Sequence, residues 1–165
     1  MSTSVRRATL MILVYATLFV GLVAVLNPGV LLWVSPAWAF FPLGNLRWLA
    51  LVLFIPGALL AGWCALSFAL VGLGTPAPFD PPKKLVVRGP YLVVRNPMYL
   101  GLLLILAAEV VWFSSWALLL YVILVSIALH HVVVRYEELA LKASFGEEFE
   151  QYAATVPRWL PRLWR

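Results

Sequence analysis

Four stretches of this chain are too long and too apolar to be ordinary core helices. Residues run from Ala8 to Leu26 without a charge, from about Leu46 to Gly74 with Arg47 alone, from Met98 to Phe113 with Glu109 alone, and from Trp116 to Val134 with no charge beyond two histidines. Lipid offers no partner to a backbone N–H or C=O, so a run of about 17 to 25 apolar residues crosses its hydrocarbon as helix. Composition agrees: of 165 residues 64% are hydrophobic and 12% charged, with a mean hydropathy of +0.96, beyond what a soluble core of this size needs. The expected fold is all-α, one integral membrane bundle of about four transmembrane helices forming a single domain over residues 1–165.

Punctuation refines that expectation. Asn27-Pro28-Gly29 is a strong turn signal that ends the first helix. Pro56-Gly57 predicts a tilt or kink in the second. Ser114-Ser115 makes the last two spans a tight hairpin. "VRYEELALKASFG" continues the fourth helix out of the membrane with Tyr136, Leu139, Ala140 and Ala143 on one apolar side. Gly146 stops it, and a short helix follows from Glu147 to about Ala154, its acidic start suited to the positive end of a helix dipole. The final "VPRWLPRLWR" is expected along the membrane surface, rings in and guanidinium groups out. "VLLWVSPAWAFFP" reads as an interfacial segment; Ala37-Trp38-Ala39 has the form of a signal cleavage site, but the apolar run before it is too long, so the helix is retained.

The cations set the orientation. Arg6 and Arg7 precede the first span, Lys83, Lys84, Arg88 and Arg95 follow the second, and Arg135, Lys142, Arg158, Arg162 and Arg165 follow the fourth. Basic residues beside helix ends stay in the cytoplasm, so both termini and the polar motifs are expected there, in a bacterial inner membrane. The net charge of +5 is spread along membrane borders, which suits anionic headgroups better than nucleic acid. Cys64 stands alone, giving neither a disulfide nor a thiolate metal site.

Several polar residues beside the spans are candidates for chemistry. Asn96-Pro97 is a helix start whose Asn can cap the first turn, with Tyr99 and Gly101 just inside. Glu137 and Glu138 point about 100° apart on a helix, so they grip two different parts of a ligand rather than share a proton; a solvated helix face gives the same pattern. His130 and His131 end the fourth span, His130 about two turns from Glu137 and His131 near Arg135 and Glu138; with no other histidine a metal site lacks its third ligand. Glu109 either lines a cavity or sits at the outer interface. Gly72 and Gly74 suit either close helix packing or close approach by a ligand.

Taken together, "GPYLVVRNPMYLG", the Glu137-Glu138 pair and "FGEEFEQYAATVPRWLP" closely resemble the isoprenylcysteine carboxyl methyltransferase and phospholipid methyltransferase superfamily. Its pattern of Arg-His-Pro, then Leu, then Glu-Glu is met by Arg95, Pro97, Leu106, Glu137 and Glu138, and Gly72 and Gly74 resemble a glycine pair of the same superfamily. The resemblance covers about Gly72 to Pro161. It implies a membrane enzyme that uses S-adenosylmethionine, releases S-adenosylhomocysteine and methylates a membrane lipid or lipidated small molecule, either a prenylcysteine-type carboxylate or a phospholipid amine. It further implies that the C-terminal helices, 135–154, close as a lid with the proline-rich loop before Pro97, and that Gly72, Gly74, Gly89, Tyr91, Asn96, Tyr99, Leu106, Glu137 and Glu138 bind the cofactor, with Arg95 on its carboxylate. Arg95, Glu138 and His131 are the catalytic candidates; His130, His131 or Glu138 serves as base if the acceptor needs one. Asn96 departs from the pattern, standing where the family has His, and cannot act as acid or base near neutral pH. The alternative expectation is a non-catalytic membrane scaffold or lipid-binding protein that keeps the fold. A transporter would need the paired broken helices and internal symmetry that are missing here.

Overall fold

The computed structural model describes Leu18 and residues 21–36, 40–67 and 84–161. Helix α1 is Leu22–Val34, α2 is Gly44–Ser67, α3 is Pro97–Phe113 and α4 is Trp116–Phe145; α5 is the short Glu147–Thr155. Of these, α2 and α4 are long and apolar enough to cross a membrane. Their outward rows, such as Val52, Ile55, Leu59 and Leu66 on α2, are exposed, an apolar surface that water does not favour and lipid does. The opening of the first expected span, and Gly72 and Gly74, lie outside the described residues.

The most extensive contact joins α2 to α3, and two glycines make it possible. A Cβ on Gly57 would stand 2.9 Å from the Gly101 carbonyl oxygen, and one on Gly101 would stand 2.9 Å from both the Ala61 nitrogen and the Gly57 oxygen. Without a hydrophobic drive between helices in lipid, close backbone approach of this kind supplies the packing energy. Deeper in the bundle Ala24, Leu102, Leu106 and Leu129 bring α1, α3 and α4 into one buried cluster. The hairpin between α3 and α4 turns as the sequence predicts, with Ser114 left-handed at φ 52° and the Ser115 hydroxyl accepting from the Leu118 N–H at 3.4 Å.

One expectation about a helix end is corrected. Asn27-Pro28-Gly29 does not end α1, which runs on to Val34. Leu22–Leu26 widens into a π turn, the Asn27 N–H reaching the Leu22 carbonyl. In that register the Val23 carbonyl would be paired by Pro28, which has no N–H. Tyr121 on α4 donates its hydroxyl to that carbonyl instead, at 2.9 Å, and accepts from Asn27 Nδ2 at 3.2 Å.

In α4, Val133–Glu137 form another π turn, and the Glu138 N–H bonds the Val133 carbonyl. A π turn adds a residue to the turn and so rotates everything after it. The apolar side that the sequence spaces through Tyr136 and Leu139 faces outward, at 72% and 60% exposure. Leu141 and Phe145, one step round, pack against Phe149, Tyr152 and Val156 of α5 and its end. Gly146, at φ +51°, ends α4 as expected.

Candidate functional site

Three segments far apart in sequence meet at the N-terminal end of α3: the loop 84–96, α4 beyond its π turn, and the chain after α5. The loop is seated by Val86 and Tyr91, which bury with Cys64 against Leu60 and Met98. Gly89–Leu92 form a single 3-10 turn entered at Gly89 with φ +58°, where a Cβ would press the Trp63 indole nitrogen at 3.1 Å. Only glycine meets both demands.

The C-terminal segment locks this loop through its backbone. Tyr152 donates its hydroxyl to the Tyr91 carbonyl at 2.7 Å, and burial pushes the Tyr152 phenol up to about 12, so it stays a donor at any ordinary pH. Burial raises Tyr91 as well. The Arg95 N–H donates to the Pro157 carbonyl at 2.8 Å, and Asn96 Nδ2 donates to the Arg158 carbonyl at 3.2 Å. Asn96 thus stands at the start of α3 without capping it, a correction with a local cause: its amide is turned outward to satisfy a carbonyl of the incoming strand of chain.

Charge is concentrated on Glu138. Arg158 grips it with Nε on Oε1 at 2.7 Å and Nη2 on Oε2 at 2.8 Å, while Arg95 Nη1 approaches Oε1 at 3.2 Å. Side-chain exposure is 13% for Arg95, 18% for Glu138 and 32% for Arg158. Burial lowers the Arg95 guanidinium from its ordinary value, opposed by Glu138; the hydrogen bonds to Glu138 raise Arg158. Glu137, next in sequence, faces elsewhere and accepts a hydrogen bond from the Tyr99 hydroxyl. The twin acids therefore serve different partners, as their helical geometry demands.

Arg95, Asn96, Tyr99, Glu137 and Glu138 are thus brought together, with Gly89 and Tyr91 shaping the loop beside them. Leu106 is about two turns along α3 from Tyr99, sealed in the bundle core at 1% exposure. His131 is not drawn in: it is exposed, and its ring stands 6.0 Å from that of His130. His130 is the histidine that the C-terminal segment engages, its Nδ1 accepting from Trp159 Nε1 at 3.1 Å. Sequence reasoning missed Arg158, expected with its guanidinium in water, and Tyr152. The signal was present in "YAATVPRWLP", but nothing local says that a cation twenty residues on returns to Glu138.

Both signs of charge stand here, and Arg95 Nε is a buried donor without a partner among the described residues. That donor set fits an amino-acid zwitterion, whose carboxylate takes an orphaned guanidinium N–H and whose ammonium takes a carboxylate oxygen. Two hollows, of about 390 Å³ and 230 Å³, lie instead at the far end of α3 around Trp112 and contain none of these residues.

The family model for phospholipid methyltransferase matches residues 46–148, from the start of α2 to the first turn of α5. Over 63 residues the chain is 38% identical to an uncharacterized protein of Haemophilus influenzae, a match covering 38% of this chain and all of that protein. No solved structure matches.

Proposed function

Because this chain belongs to the phospholipid methyltransferase family, we propose that it is an integral membrane methyltransferase that takes its methyl group from S-adenosylmethionine and gives it to a lipid-like acceptor. The observation that carries this reading is the meeting of Arg95, Tyr99, Glu137 and Glu138 from separate elements at one end of the bundle. The family's name favours a phospholipid headgroup amine over a prenylcysteine-type carboxylate. Four spans, with this end in the cytoplasm where a soluble cofactor arrives, complete the proposal.

In this reading Arg95 holds the cofactor carboxylate through the N–H groups that Glu138 does not use. Glu137, with one oxygen engaged by Tyr99, presents its other to the ammonium. Glu138 is a positioning residue, since both its oxygens are already occupied by Arg158 and Arg95. When bound, S-adenosylmethionine would supply a methyl carbon on a positive sulfur, open to in-line attack by the acceptor's lone pair as the carbon–sulfur bond breaks, with S-adenosylhomocysteine leaving and an amine acceptor giving its proton to solvent. What the protein adds is placement in a dry site, for which well-oriented neighbours are worth roughly 7 to 11 kcal/mol.

The test is incubation of detergent-solubilised protein with radiolabelled S-adenosylmethionine and total membrane lipid, followed by chromatography of the lipids. Label in a phospholipid, lost in Arg95→Ala and reduced in Glu138→Gln, is the expected result. The competing reading, a scaffold that keeps the fold, is favoured by Asn96 in place of the family's His. Absence of any calorimetric signal with S-adenosylmethionine would decide for it.

A further inference from the structure

Near the end of α3 remote from Arg95 stand two ionisable groups that the proposed methyl transfer does not use, Glu109 on α3 and Arg47 on α2. Glu109 is twelve residues beyond Pro97, about 18 Å along the helix at 1.5 Å per residue. Arg47, in the 3-10 turn that opens α2, forms no ion pair among the described residues; its guanidinium carbon stands 5.8 Å from the centre of the Trp112 ring. Trp48 meets the same ring edge-on at 5.0 Å. Arg47, Asn45, Trp112 and Ser114 line the hollow of about 390 Å³. The second hollow, of about 230 Å³, is reached one helical turn further along α2, at Ala50, Leu51 and Phe54, and shares Trp112 with the first. The surface it presents is wholly apolar; Glu109 stands in that wall, its Oε2 buried and without a partner among the described residues.

A cation at the rim, an edge-on pair of indoles, one carboxyl a turn further in and an apolar wall beyond it follow the order of groups in a membrane phospholipid: phosphate, ester linkage, acyl chain. Arginine forks onto phosphate, a protonated carboxyl has an O–H to give to an ester carbonyl, and Trp belongs at the headgroup level. A lone carboxyl at membrane depth calls for such a partner. We infer that the Arg47–Trp112–Glu109 hollows form a binding site for one bilayer phospholipid, in the leaflet on the side of the Ser114 turn. Arg47 holds its phosphate, Glu109 its ester region, and an acyl chain lies along Leu51 and Phe54. The site lies at the other end of α3 from the residues proposed to hold the cofactor and stands whether or not the chain transfers methyl groups.

The test uses the full chain, stripped of lipid by detergent exchange and titrated with phosphatidylethanolamine or phosphatidylglycerol, with bound lipid read by native mass spectrometry and stability by thermal unfolding. One phospholipid bound per chain and a raised Tm are expected. Arg47→Gln and Glu109→Leu should each weaken binding by about tenfold or more, while Lys84→Gln, an exposed cation elsewhere, leaves it unchanged. Equal binding by wild type and Arg47→Gln overturns the site. So does stabilisation by glycerol 3-phosphate as great as by phospholipid, which would mean a site for free phosphate, or a mass showing a second copy of the chain and no lipid. Photoactivatable phospholipid on the wild-type protein does not depend on how the variants fold: label on residues 40–54 and 108–116 is expected, and label only elsewhere overturns the inference.

Discussion

Arg158 reaches back across twenty residues to Glu138 and takes both of its oxygens, at 2.7 and 2.8 Å, while Arg95 shares one of them at 3.2 Å. One carboxylate therefore holds together two guanidinium groups that would otherwise repel. Glu138→Gln removes the shared anion and leaves both cations in place, whereas Arg158→Ala leaves an ordinary pair of Arg95 and Glu138. Thermal unfolding in detergent should rank Glu138→Gln as the more destabilising, with losses on the order of 1–3 kcal/mol for a half-buried charge that loses its partner. Arg158→Lys should resemble Arg158→Ala, because a single ammonium cannot bridge both oxygens. Equal Tm values for Glu138→Gln and Arg158→Ala would refute the shared-anion account.

The Tyr99 and Glu137 pair separates positioning from binding. Tyr99→Phe removes one donor to Glu137 but leaves the carboxylate, so calorimetry with S-adenosylhomocysteine should show binding within a few-fold of wild type, the worth of one ordinary hydrogen bond. Glu137→Gln removes the charge proposed to meet the ammonium and should weaken binding by about tenfold or more. If Glu137→Gln binds as well as wild type, the ammonium lies elsewhere.

At the α2–α3 crossing, Gly57→Ala and Gly101→Ala would each place a methyl 2.9 Å from backbone atoms of the facing helix. Backbone cannot swing aside as a flexible side chain does, so each should cost about 1–3 kcal/mol by overpacking. Gly62, on the same helix, has nothing within 4 Å of an added Cβ, and Gly62→Ala should be neutral or slightly stabilising. A proteolysis or unfolding series in which all three variants behave alike would remove the crossing from its role.

What the sequence made legible was local. Apolar length marked α2 and α4 as long enough to cross a membrane, Ser114-Ser115 the hairpin and Gly146 the end of α4, because each depends on residues close in the chain. The twin acids were legible as two separate grips for the same reason. The two π turns were not, since a 3.6-residue repeat carries no mark of an added residue; the apolar spacing of Tyr136 and Leu139 therefore did not say that Leu141 and Phe145 are the residues that pack. Arg158 and Tyr152 were missed because their partners, Glu138 and the Tyr91 carbonyl, belong to other elements. Aromatic-basic periodicity alone places a C-terminal arginine in water.

The first π turn offers a test that separates a hydrogen bond from the packing around it. Pro28 leaves the Val23 carbonyl without a helical donor, and Tyr121 supplies one from α4 at 2.9 Å. Tyr121→Phe keeps the ring and strands that carbonyl among apolar groups, so it should lower stability by about 1–3 kcal/mol. Pro28→Ala restores an N–H to the chain where α1 can use it, and the backbone is then free to close its own ladder. In the double variant Tyr121→Phe/Pro28→Ala the loss should largely vanish, a non-additivity that unfolding measurements on all four proteins would show. Strictly additive effects would mean that Tyr121 contributes packing alone and that the Val23 carbonyl is satisfied by something other than its hydroxyl.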